Sequence, residues 1–389
     1  MDRVFSSTVQ ILRPDLRDAG RILVTSDIHG HADHLKEVLK KADFGGNDRL
    51  IVVGDLLEKG PDSLGTLRFV MDLCAQGRAL TLWGNVDYLR VYMMEKIKKD
   101  PAAAEDFMEY LREMRAWKGT SFFDELCREL GRLPQSPEDI LHILPAIEAH
   151  FAPELDFLCA QPTIIETPNY RFVHGGLRHT ELQANLTLHP HDLMKYDNFL
   201  AKARREGVRQ EKYTVVGHWP VALNREDYPN FNPIIDTETR IIAIDGGCGL
   251  KAEGQLNLLI LPSADCPAEA ITHVYYDGFP TMTAPCDQAP SEDPFYIHWG
   301  DADVRFLQRE GNMAEVEHVR TGRRMWVSAD CLYKCADVAD LQTGDTAVCD
   351  DSTDYRLPIH RGDTLSVIQK TTRGILVKKD GIVGWLACT

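Results

Sequence analysis

An α/β domain followed by a smaller all-β one is the fold class this chain predicts, on three observations. From Arg21 to Val86 a short apolar run recurs as RILVTS, RLIVVG and ALTLWG, with a helix-like segment between successive runs. From Tyr88 to Cys159 no strand-like run occurs, and apolar residues fall at helical spacing. Beyond Asp277 the pattern changes to short strands joined by Thr-Gly and Asp-Gly turns.

The three apolar runs are short, β-branched or Leu-rich, and each ends in a small polar loop. His34–Ala42 carries Leu35, Val38 and Leu39 on one face, and Ser63–Gln76 carries Leu64, Leu67, Val70 and Met71. This is a βαβαβ unit, so the strands are expected to run parallel with both faces covered. In the helical block, about residues 88–158, Phe107, Tyr110, Leu111, Met114 and Trp117 share one amphipathic face. Tyr92, Met93 and Met94 are expected to pack in the same block. Ser136-Pro137-Glu138-Asp139 supplies a cap, a first-turn proline and two acids ahead of a helix at Ile140. Strand-like runs resume at TIIET, RFVHGG, YTVVGH, RIIAIDGG and LNLLIL and complete a first domain over residues 1–278. The proline-punctuated GFPTMTAPCDQAPSEDP, residues 279–294, reads as a linker. Residues 295–389 hold two similar segments, one with Trp326-Val327 and one with Trp385-Leu386 at the same point, and read as one or two small barrels.

Composition bounds the function. In 389 residues there are 43 Lys and Arg against 59 Asp and Glu, a formal charge of −16, which leaves no general basic surface for nucleic-acid binding. No apolar run is long enough for a membrane span or a secretory leader, so a cytoplasmic location is expected. The ten cysteines are scattered. Only Cys331 and Cys335 lie close together, without two further ligands at a matching spacing, so free thiols are expected.

Five loops, each at the C-terminal end of an expected strand, carry metal-ligand residue types. They are Ser26-Asp27-Ile28-His29-Gly30-His31, Gly54-Asp55-Leu56-Leu57-Glu58-Lys59-Gly60, Gly84-Asn85-Val86-Asp87, His174-Gly175-Gly176 and Gly217-His218. In open α/β sheets sites assemble at this edge, so loops far apart in sequence can converge. A pair of divalent ions about 3.5–4 Å apart needs a bridging carboxylate and a mixed oxygen and nitrogen shell. Asp, His and an Asn carbonyl oxygen provide it with few enough charges to leave the pair attractive to phosphate.

In order and spacing, the five loops resemble the calcineurin-like metallophosphoesterases, with GDxHG-, GDxxDRG-, GNH[DE]-, HAG- and GH-type motifs in turn. LDFLCAQPTIIETPNYRFVHGGL resembles the branch of bacterial protein phosphatases and dinucleoside tetraphosphatases, and the resemblance runs from about residue 21 to 262. It implies a β-sandwich flanked by helices, holding two divalent ions, manganese first and iron or zinc as alternatives. Asp27 and His29 would hold the first ion, Asp55 would bridge, and Asn85, His174 and His218 would complete the second. The implied reaction is hydrolysis of phosphate esters by a metal-bridging hydroxide, as a phosphatase. The C-terminal segment with GDTLSVIQ resembles a bacterial SH3-like repeat, which implies a protein or peptide partner there.

Three departures bear on chemistry. Ser26 replaces the usual first glycine. Lys59 stands where the family has the arginine that grips phosphate, keeping the charge but losing the bidentate fork. Val86 stands where protein phosphatases have the histidine that protonates the leaving group; losing a general acid costs about 10²–10⁴-fold for a poor leaving group. His31 is the candidate substitute acid, and Lys59 the candidate phosphate contact. Substrates therefore span a phosphorylated small molecule, a nucleotide or a phosphoprotein. Phosphodiester or dinucleoside-polyphosphate cleavage is an alternative, and a non-catalytic metal-bound scaffold another. Outside the ligand set, Asp87 reads equally as a partner of the site or a helix cap, and Glu58 as a solvated turn carboxylate. Asp245-Gly246-Gly247 reads as structural, Trp326 and Trp385 as barrel core, and Lys195 as a phosphate contact.

Overall fold

The computed structural model describes residues 5–333 and 341–387, in two compact units. The first comprises Met1–Pro220 and Pro233–Tyr276, the second Val221–Asn232 and Asp277–Thr389.

The first unit holds strands β1 (Ile11–Leu12), β2 (Ile22–Thr25), β3 (Arg49–Val52), β4 (Ala79–Thr81), β5 (Ile164–Glu166), β6 (Tyr170–Val173), β7 (Tyr213–Val216), β8 (Ile234–Asp236), β9 (Ile241–Ala243), β10 (Leu256–Leu261) and β11 (Thr272–Tyr276). They form two sheets, ordered β11-β10-β2-β3-β4 and β1-β5-β6-β7-β9-β8. β2, β3 and β4 are parallel, as the βαβαβ pattern predicts, and so are β6, β7 and β9. The period-2 alternation of a strand sends neighbouring residues into different cores. Ile22, Val24, Ile51 and Val53 pack with Phe172, Val215 and Ile242 of the other sheet. Leu23, Leu50 and Val52 face the opposite way, against helices α1 (Ala32–Lys41) and α2 (Ser63–Ala75). The result is a two-sheet sandwich with helices on its outer face.

Register sets the level of the strand ends. Thr25 pairs with Val52 and Val52 with Thr81, so the loops that follow β2, β3 and β4 start side by side. Phe172 pairs with Val215 and Val215 with Ile242, which does the same for the loops after β6, β7 and β9.

The block between β4 and β5 is helical throughout: α3 (Asn85–Lys99), α4 (Ala103–Lys118), α5 (Phe122–Glu129), α6 (Pro137–His150) and α7 (Ala152–Cys159). At the start of α6 the Ser136 hydroxyl accepts from the Asp139 amide, and the Asp139 carboxylate accepts from the Ser136 amide, the capping box expected there. Phe107, Leu111 and Met114 of α4 are buried as expected, but Trp117, in the last turn of the helix, is 54% exposed, with Lys118 Nζ 4.4 Å above its ring. Tyr92 is also exposed and stacks on Tyr88, while Met94 is buried. Among the described residues no helix is long and apolar enough to cross a membrane.

Among the described residues, the second unit is built from antiparallel strands in sheets of five, four and two. Part of the expected linker belongs to it: Thr281–Thr283 pairs with the strand Thr364–Thr371, the short edge position that flanking prolines permit. Cys286 in the same stretch is disulfide-bonded, against the expectation of free thiols, whereas Cys127, Cys248, Cys266 and Cys349 are free and buried. Cys335 lies outside the described residues. Neither tryptophan is fully buried: Arg373 covers the Trp326 ring, and Trp385 Nε1 donates to Thr353 O at 2.6 Å.

The helical block depends on its aromatic centre, where Phe122 and Phe107 are almost wholly buried. Phe122→Ala is expected to cost about 3–5 kcal/mol in chemical denaturation, the usual range for emptying a buried phenylalanine site.

Candidate metal centre

All six candidate ligands lie at the shared C-terminal edge of the two sheets, and all are at least nine-tenths buried or nearly so. Asp27, His29 and Asp55 offer one donor atom each within 4.8 Å of one another. His29 Nε2 is 3.8 Å from Asp27 Oδ1 and 3.6 Å from Asp55 Oδ2. Its Nδ1 is 2.9 Å from Leu57 O, which commits the N–H to Nδ1 and leaves the Nε2 lone pair facing the two carboxylates. Burial, then the neighbouring Lys59 ammonium, push this imidazole down to about 3, so it is neutral, as a ligand must be.

The second group lies across Asp55. His174 Nε2 is 3.4 Å from Asp55 Oδ1 and 3.1 Å from Asn85 Oδ1, and its Nδ1 is 2.8 Å from Val53 O. Burial alone would lower its pKa, but the Asp55 and Asp27 carboxylates raise it to about 10, so a cation binding here would displace a proton from it. The His218 ring centroid is 5.3 Å from that of His174. Its Nε2 is taken by Asp197 Oδ1 at 2.7 Å, leaving Nδ1 as the nitrogen for an ion. Two concentrations of donors sharing Asp55 fit a pair of divalent cations.

The backbone here is under strain. Asp27, His29, Asp55 and His218 have φ of 51°, 48°, 54° and 64°, in the left-handed region that side chains rarely adopt. Interlocking hydrogen bonds hold them: the His29 amide donates to Asp55 O, the Asp27 amide to Gly54 O, and the His218 amide to Asp27 Oδ2. Gly84 is needed for close approach, since a Cβ there would lie 2.1 Å from both the amide nitrogen and Oδ1 of Asp55.

The residues around the ligands settle several open readings. Asp87 is buried and accepts the Leu56 and Leu57 amides at 3.0 Å, so it braces the loop of Asp55 rather than capping α3. Burial and the adjacent Asp55 push it up to about 7. Glu58 is not a solvated turn carboxylate. It is 1% exposed, lies 3.0 Å from Arg90 Nε, and accepts from the Tyr110 hydroxyl at 2.7 Å and the Phe122 amide at 3.2 Å. An apolar helical block gave this loop partners that the local sequence did not display. Lys59 Nζ is 2.8 Å from His29 Nε2. His31 Nδ1 lies 2.7 Å from His29 O, which leaves its Nε2 without a backbone partner. Asp245 is buried and accepts the Gly247 amide. Lys195 Nζ contacts Asp197 at 2.8 Å and His218 Nε2 at 3.4 Å. Asp197, the orienting partner of His218, carries no sequence signal of that role.

Comparison with known proteins follows the same outline. The profile of the calcineurin-like phosphoesterases matches residues 20–236. The symmetrical bis(5'-nucleosyl)-tetraphosphatase of Shewanella sp. strain W3-18-1 is 26% identical over 254 residues, covering 57% of this chain and 88% of its own. That of Aeromonas hydrophila is 50% identical over 62 residues, 16% of this chain and 22% of its own. A protein serine/threonine phosphatase structure from Saccharomyces cerevisiae, with similarity to human phosphatase PP5, aligns at a TM-score of 0.41 and 12% identity over 70% of this chain and 84% of that one.

Gly84→Ala tests the close approach. The added methyl displaces Asp55, and divalent-metal affinity is expected to fall about 10–100-fold, the range for residues that orient ligands, in a metal titration with unchanged circular dichroism.

Proposed function

Because the chain belongs to the calcineurin-like phosphoesterase family, a family of hydrolases, we propose that it cleaves a phosphoanhydride bond in a nucleoside polyphosphate, using two divalent ions, with manganese the first candidate. Asp27, His29 and Asp55 would hold one ion, and Asp55, Asn85, His174 and His218 would hold the other. When bound, such ions make water nucleophilic near neutral pH and offset the charge of the phosphoryl group. Lys59, with Nζ beside the ligand His29, is placed to take a phosphate oxygen as a point charge. Asp87 and Gly84 keep the Asp55 carboxylate in place while substrate binds.

The observation that carries the substrate class is Val86. It is 7% exposed, and its amide donates to Asp55 Oδ1 at 2.9 Å, so a side chain with no ionisable proton occupies the helix start beside Asp55. A nucleotide leaves as a phosphate anion and needs little protonation, whereas a serine or threonine alkoxide does. The names of the two tetraphosphatase relatives agree with this choice. Phosphomonoester hydrolysis is the second reading, with His31 as the candidate acid; its Nδ1 donates to His29 O, so its Nε2 carries a proton to give only in the imidazolium form, which burial disfavours. The C-terminal strands, about residues 295–389, are read as an SH3-like module for a protein or peptide partner, supported by their short antiparallel strands and tight Asp380-Gly381 turn.

With manganese bound, the protein is expected to turn over diadenosine tetraphosphate and p-nitrophenyl phosphate, and Asp55→Asn to lose both. A phosphoserine peptide is expected to react at least about 100-fold more slowly in kcat/KM, the penalty for a missing general acid. Equal rates on the peptide would replace the anhydride reading with the phosphatase one. Lys59→Ala is expected to raise KM for the nucleotide without lowering metal affinity, read by steady-state kinetics beside a metal titration.

A further inference from the structure

Trp117 ends the apolar stripe of α4 with its indole exposed, and the next residue ties this corner of the helical block to the ion centre. Lys118 Nζ lies 4.4 Å from the centre of the Trp117 ring and donates to Gly249 O at 2.8 Å. Gly249, at φ +70°, is pressed against the first ligand loop: a Cβ there would lie 2.9 Å from His31 Cε1 and 3.2 Å from His29 Cβ. Gly60 abuts the same imidazole, since a Cβ there would lie 2.5 Å from His31 Nδ1. The residue before Gly60 is Lys59, whose Nζ is 2.8 Å from His29 Nε2. Lys59, His31, Gly249, Lys118 and Trp117 are thus joined in one run of contacts that leads away from the ion centre, all within the first unit. The first four are half-buried and Trp117 is exposed, so the run follows the surface outward.

We infer that Trp117 and Lys118 bind the outer part of the nucleotide: Trp117 stacks on its base, and Lys118 takes a phosphate of its chain. The inference deepens the proposed function and rests on its reading of the substrate as a nucleoside polyphosphate. A polyphosphate held at the ion centre needs cations along its length, and this run offers a lysine at each end in a chain whose formal charge is −16. The Gly249 carbonyl and the indole set the position of the Lys118 ammonium, and that carbonyl uses one of its three donors. A buried place in the stripe would have hidden the indole. At 54% exposure its ring surface is open to a base, and the π-face of any base stacks on such a ring. Stacking reads no hydrogen-bond pattern, so adenine and guanine nucleotides are expected to bind alike.

The test is calorimetric binding of two probes that resist hydrolysis to the manganese-loaded, full-length protein. One is adenosine triphosphate with methylene groups in place of both bridging oxygens of its phosphate chain. The other is methylenediphosphonate, which has no base. Trp117→Ala is expected to weaken the nucleotide analogue about tenfold or more and to leave methylenediphosphonate within about twofold, with Trp117→Phe restoring most of the loss. Lys118→Ala is expected to weaken the analogue by a smaller factor that shrinks as salt is added. Unchanged affinity of Trp117→Ala for the analogue would overturn the inference, as would equal weakening of both probes. A wild type that binds methylenediphosphonate but not the analogue would overturn the nucleotide reading, and the inference with it. Analogue binding that Trp117→Ala weakens, without turnover of diadenosine tetraphosphate by the wild type, would support the base site and overturn only the proposed reaction.

Discussion

The site depends on two hydrogen bonds that join the sheets at their common edge. His174, from the end of β6, is 2.8 Å from Val53 O in the opposite sheet, and Asp27, from the end of β2, accepts the His218 amide from the end of β7. Each bond uses a group that would otherwise be buried without a partner, at a cost of about 1–3 kcal/mol. Each also fixes a donor set: the first turns His174 Nε2 toward Asp55 and Asn85, and the second sets the distance between the two halves of the centre. Parallel register in both sheets brings six loops to one level, and the cross-sheet bonds turn that proximity into geometry. Acceptance of left-handed backbone at four candidate ligands, and at Glu58 and Lys59 beside them, is the cost of that arrangement.

A second layer comes from the helical block. Asp87 in the first turn of α3 braces the Asp55 loop from within the sandwich, and Arg90, one turn later, reaches Glu58. Tyr110 of α4 and the amide of Phe122 at the start of α5 complete the surroundings of that carboxylate. Burial pushes Glu58 toward its neutral form, and Arg90 opposes this. Three helices thus converge on the residue before Lys59, the proposed phosphate contact. The insertion is part of the site's support, and an account of the centre that stopped at the ligands would omit what holds Lys59.

Much of this was legible in the sequence. The apolar runs ending at Thr25, Val52 and Thr81 were readable as parallel strands because both of their faces are buried, and the ligand-type residues were readable because each follows such a run within a few positions. The resemblance of the five loops to one family then grouped them, and the shared strand level brings them together as that grouping requires. What was not legible is tertiary. Glu58 looked solvated because its partners, Arg90, Tyr110 and the Phe122 amide, lie between 32 and 64 residues away. Asp197 had no motif at all. Trp117 continued a helical stripe by spacing, but it lies in the last turn of α4 and is exposed. The proline-rich stretch read as a tether because composition does not reveal that Thr281–Thr283 finds an edge to pair with. Likewise nothing local marks Val221–Asn232 as belonging with residues more than a hundred positions downstream.

The central claim is that Asp55 stands between two metal sites. Anomalous diffraction from crystals grown with manganese, collected on either side of its absorption edge, tests it most directly. The account predicts two peaks about 3.5–4 Å apart, one beside Asp27 and His29 and one beside Asn85, His174 and His218, with the Asp55 carboxylate between them. A single peak, or peaks away from Asp55, would contradict it.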